Sequence, residues 1–108
     1  MSINPLLVLC SLLLLTACSE PLPQDKLDYA GHWQGQGMEL TIEADGKVSY
    51  RRREGITTTT INAPLKHFKG DDFIVGIGPF DTTFVVSQPP QMTAEGWRMT
   101  VDGVELYK

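Results

Sequence analysis

The chain is poor in cysteine and histidine and has no long apolar segment, and each shortage closes a class of function. Its two cysteines are Cys10 and Cys18. From Ser19 onward no disulfide, thiolate metal site or cysteine nucleophile is available. The two histidines, His32 and His67, show no ligand spacing, and a metal site would need both of them to meet carboxylates such as Asp71 or Asp72. No serine lies in a nucleophile-elbow setting. Gly76-Ile77-Gly78-Pro79 lacks the following helix and the Lys-Ser/Thr pair of a phosphate loop. Asp71, Asp72 and Asp81 stand beside turn residues, where aspartate is ordinarily common. The expectation is a non-enzyme with no metal and no cofactor. Nine Lys and Arg against thirteen Asp and Glu give a formal net charge of −4, which argues against nucleic acid as a partner. The longest apolar run, Leu6–Leu15, is shorter than the roughly 20 residues of a membrane-spanning helix.

That run has the length of a secretory signal core and ends in the small residues Thr16 and Ala17. Leu15-Thr16-Ala17-Cys18 resembles the cleavage and acylation box of bacterial lipoproteins. The resemblance implies a signal peptide over residues 1–17, a diacylglyceryl thioether on Cys18 and cleavage after Ala17. Two or three acyl chains hold a protein stably on a bilayer, at about 0.8 kcal/mol for each buried CH₂. Ser19 stands where aspartate favours inner-membrane retention, so the resemblance implies the outer membrane, with the domain facing the periplasm. The first five residues contain no Lys or Arg, so the expected start of translation lies upstream. A plain secretory signal cut near Ala17 fits the same run. Residues 18–28 read as the lipidated cysteine and an extended tether kept open by Pro21 and Pro23.

Residues 29–108 read as one all-β domain. Met38, Leu40 and Ile42 alternate with polar residues, Ala44-Asp45-Gly46 marks a turn, and Val48 and Tyr50 resume the alternation. Thr57–Ile61 is a β-branched strand. Phe73, Val75 and Ile77 form another, ended by Gly78-Pro79. Thr82–Ser87 is a further strand with Phe84 and Val86 inward, stopped by Pro89-Pro90. Trp97, Met99 and Val101 lead through Asp102-Gly103, a type I′ signal, to Val104 and Leu106. About six or seven strands, mostly hairpin-connected, predict a small antiparallel barrel or sandwich.

Gly31-His32-Trp33 resembles the Gly-x-Trp at the start of lipocalin-like barrels, where the Trp plugs one end, and Arg98 is the cation expected across it. A core Trp behind a turn glycine fits the same residues. Arg51-Arg52-Arg53 is the one dense basic cluster, and on a strand Arg51 and Arg53 share a face. Such a face suits an anionic lipid, a polyanionic glycan or an envelope protein; it also suits an edge strand protected by charge. Asn62-Ala63-Pro64, Phe73–Pro79, Thr83–Val86 and Trp97–Leu106 resemble small exported proteins of proteobacteria, which supply no catalytic residues to carry over. The expected function is that of a lipid-anchored binding module, with Arg51, Arg53, Trp33, Gly78 and Pro79 as contact residues. The alternatives are a lysozyme-inhibitor-like lipoprotein and a lipocalin-like carrier of a small ligand.

Overall fold

The computed structural model describes residues 19–108. The signal segment and Cys18 lie outside the described residues. A 3-10 helix over Gln24–Tyr29 precedes nine strands: β1 (Gly31–Gly35), β2 (Met38–Ile42), β3 (Lys47–Glu54), β4 (Thr57–Lys69), β5 (Asp72–Ile77), β6 (Phe80–Phe84), β7 (Val86–Thr93), β8 (Gly96–Val101) and β9 (Val104–Tyr107). They form one antiparallel sheet in the order β6-β5-β4-β3-β2-β1-β9-β8-β7, curled into a half-barrel. Every strand follows its sequence neighbour except at the β1–β9 joint, which ties the two ends of the domain through two rungs, Gln34↔Tyr107 and Gly35↔Leu106.

The all-β expectation holds, but nine strands replace six or seven. The differences are local. β1 is short and glycine-flanked, so its alternation around Trp33 is weak in the sequence. Thr57–Ile61 is only the first part of β4, which runs on through Pro64 to Lys69. There β4 leaves β3, with Lys47↔Pro64 as the last rung, and shifts register between Leu65 and His67 to pair with β5. The expected strand Thr82–Ser87 breaks at Val85. Pro89-Pro90 does not end β7 but lies within it. β7 is an edge strand, and its register shifts between Gln88 and Gln91, so the missing N–H groups leave no ladder bond unmade. Asp102-Gly103 forms the expected tight turn with both φ angles positive, +48° and +81°.

The concave side is packed. Trp33, Phe73, Phe84, Met38, Leu40, Ile42, Met99, Leu106, Val75 and Val101 are fully buried. Tyr50 meets Phe84 edge-on at 4.9 Å, and Phe84 stacks on Phe73 at 4.9 Å. Gly76 is needed where β5 meets β6, because a Cβ there would run into the Phe80 carbonyl. The two free edges, β6 and β7, are joined at their shared corner. Asp102 Oδ1 accepts the Val85 N–H at 2.9 Å, and Asp72 Oδ1 accepts the Val86 N–H at 2.8 Å.

The segment before β1 is not the extended tether that Pro21 and Pro23 suggest. Leu22 is buried and donates its N–H to Ala44 O at 3.0 Å, and the 3-10 helix delivers Tyr29 into the core. Leu22 and Tyr29 supply apolar surface whose burial holds the segment on the domain.

Candidate functional site

Arg51 and Arg53 point outward from β3, because Val48 and Tyr50 take the alternate, inward positions. Glu39 lies opposite Arg51 on β2, and Thr60 and Thr58 lie opposite Arg51 and Arg53 on β4. The Arg53 N–H is bonded to Gly37 O at 2.8 Å, which fixes the backbone beneath the two guanidinium groups. Gly35, Gly37, Met38, Glu39, Arg51 and Arg53 line a shallow open depression of about 250 Å³. Arg52 takes the other face and lies 3.7 Å from Glu54. The strand pair extends past β2 and turns at Gly55-Ile56, with Glu54↔Thr57 as its last rung. Ile56 is fully exposed at the tip. The hairpin carries two outward cations, Arg51 opposite Glu39 and Arg53 at the level of Gly37, and one apolar side chain at its tip, a combination suited to an anionic surface.

Trp33 does not belong with them. It is completely buried, its indole N–H donates to Tyr29 O at 2.9 Å, and it offers no surface to a partner. Nor does Arg98 cross it. The cation over Trp33 is Lys108, with Nζ 4.7 Å from that ring centroid and 5.1 Å from the centroid of Trp97. Lys108 Nζ also donates to Asp28 O at 2.8 Å and Ala30 O at 2.5 Å, clasping the exit of the 3-10 helix. Burial lowers the Lys108 pKa, and Asp28 opposes the shift. Arg98 lies instead 3.8 Å from Glu105. Lys108 was the residue missed in the sequence, where nothing but its place after the last alternating strand pointed to it.

Gly78 and Pro79 form the β5–β6 turn, on the opposite side of β4 from β3. Lys66 Nζ holds Gly78 O at 2.5 Å and Asp81 Oδ1 at 2.6 Å. The turn displays Ile77 and Phe80, 63% and 79% exposed. The sequence placed Gly78-Pro79 at a surface turn but did not single out the two apolar neighbours.

The histidines are held apart by the sheet order. His32 is on β1, where Nδ1 lies 2.6 Å from Thr41 Oγ1, and His67 is on β4, opposite Ile74. Three strand spacings of about 4.8 Å separate β1 from β4. Among the described residues no three His, Cys, Asp or Glu side chains converge as a metal site would require. Asp71 and Asp72 are used structurally: the Asp71 carbonyl accepts the Tyr29 hydroxyl at 2.9 Å, and Asp72 caps Val86. Burial, with Asp71 and Asp72 adding, pushes the Tyr29 pKa up to about 12. No helix among the described residues is long and apolar enough to cross a membrane. Comparison with family models, with curated proteins and with solved structures finds no match.

Proposed function

We propose that this protein is a lipid-anchored lipoprotein of the bacterial envelope, held by Cys18, whose β-domain binds an anionic partner without chemical turnover. The supporting observation is the outward pair Arg51 and Arg53 on a hairpin that projects beyond its neighbouring strand. Exposed cations attract an anionic glycan or the acidic face of an envelope protein over a range set by salt. The packed concave side favours this reading over a small-ligand carrier. The cationic hairpin suits an anionic partner better than a basic lysozyme. Ser19 in the sorting position supports placement in the outer membrane, with the domain facing the periplasm.

Two experiments test it. Cys18→Ala is expected to abolish palmitate labelling and release the protein from membranes; continued labelling overturns the anchor. Arg51→Glu/Arg53→Glu is expected to weaken capture by immobilised heparin, used as the polyanion probe. The loss is on the order of tenfold, because exposed charge contacts contribute up to about 1 kcal/mol each and 1.4 kcal/mol is tenfold. Unchanged capture removes the arginine pair from the site, and turnover of an envelope substrate by the purified protein removes the non-enzymatic reading.

A further inference from the structure

The start of the described chain lies beside the β5–β6 turn and its exposed apolar side chains. Ser19 and Glu20 share a depression of about 480 Å³ with Pro64, Leu65, Lys66, Gly76, Ile77 and Gly78. Leu22, three residues on, is already fixed to the β2–β3 turn. There is thus no slack between Ser19 and the domain. Ser19, the first described residue, therefore stands beside the β5–β6 turn. That turn presents Ile77, Pro79 and Phe80. Ile77 and Phe80 are directly paired across the two strands and therefore share one face. Beyond them a cleft of about 660 Å³ is walled by Ile61, Ala63, Val75 and Thr82. The local charges do not oppose an apolar contact: Asp81 is paired with Lys66, whose remaining bond goes to Gly78 O, leaving Glu20 as the free charge beside the turn.

We infer that the β5–β6 hairpin is a membrane-docking tip: Ile77, Pro79 and Phe80 enter the interface of the same phospholipid bilayer that holds the acyl chains of Cys18. This rests on the lipoprotein reading of Cys18. Anchoring at the residue that precedes Ser19 tethers the bilayer close to this tip, and exposed aromatic and aliphatic side chains gain by burial in the headgroup–acyl boundary. β3 and β5 lie on either side of β4 and both run antiparallel to it, so the Gly78-Pro79 turn and the Gly55-Ile56 turn point toward the same end of the sheet, and the β4–β5 turn lies at the other end.

The test uses the processed, lipidated protein in phosphatidylethanolamine–phosphatidylglycerol vesicles, with an environment-sensitive fluorophore on Phe80→Cys and, separately, on Lys69→Cys, which is exposed beside the β4–β5 turn at the other end of β5. Flotation and palmitate labelling report the anchor independently of the probes. Docking predicts a blue-shifted probe at position 80 that spin-labelled lipid quenches, and an unshifted, unquenched probe at position 69. A floating protein whose probe at 80 remains aqueous overturns the docking and leaves the anchor intact. A probe at 80 that is shielded from water, insensitive to spin-labelled lipid and dependent on protein concentration overturns it in favour of a second copy on this face. A protein that neither floats nor takes up palmitate overturns the anchor and the docking together. Ile77→Ser/Phe80→Ser with the probe at Pro79→Cys is expected to lose the blue shift while still floating; a retained shift also overturns the proposal.

Discussion

Replacing Lys108 by Met removes the ammonium group and keeps most of the aliphatic stem. The β1–β9 joint has only two rungs, so the ends of the domain depend on contacts outside the ladder. Lys108 makes several: bonds to Asp28 O and Ala30 O, and an approach to the faces of Trp33 and Trp97. Each hydrogen bond is worth about 1 kcal/mol net, because the side chain is partly exposed. The cation–π contacts add about 0.5–1 kcal/mol, and the desolvation that lowers the Lys108 pKa takes some of this back. The expected loss is about 2 kcal/mol. For a domain of this size that is a fall of roughly 8–16 °C in Tm. Urea titration followed by fluorescence reads it directly, since Trp33 and Trp97 both report, and the slope should stay constant while the midpoint falls. Arg98→Met is the control, because its contact with Glu105 at 3.8 Å joins two half-exposed groups and contributes less than about 0.5 kcal/mol. A Lys108→Met cost below about 0.5 kcal/mol, or a larger cost for Arg98→Met, refutes the clasp.

Asp102→Ala should cost about 2 kcal/mol in urea titration, because it leaves the Val85 N–H without its acceptor and puts a β-carbon residue other than Asn or Asp at φ +48°. Asp102→Asn keeps both functions and should stay within about 0.5 kcal/mol; equal losses would show that the corner bond is not what Asp102 contributes. Tyr29 supplies a pH signature. Its folded pKa is about 12 against 10.0 unperturbed, so between these values the unfolded chain releases the phenolic proton while the folded chain keeps it, and stability falls as pH rises. The wild type should lose roughly 1–2 kcal/mol across that window relative to Tyr29→Phe, after allowance for solvent near the hydroxyl. Parallel pH profiles for the two proteins would remove the Tyr29 contribution.

What the sequence made legible is what short-range alternation and turn chemistry control. Met38, Leu40 and Ile42, then Val48 and Tyr50, are inward as their period requires, and Asp102-Gly103 turns as that dipeptide favours. What escaped depends on partners distant in the chain. Pro89-Pro90 breaks a central strand but not an edge strand, and only the sheet order reveals that β7 is an edge. Arg98 and Lys108 are both cations near the last hairpin; which one reaches Trp33 is decided by where the 3-10 helix offers its carbonyls. At the candidate site, the shared outward face of Arg51 and Arg53 was legible from strand period, whereas the burial of Trp33 turned on whether the sheet curls over it.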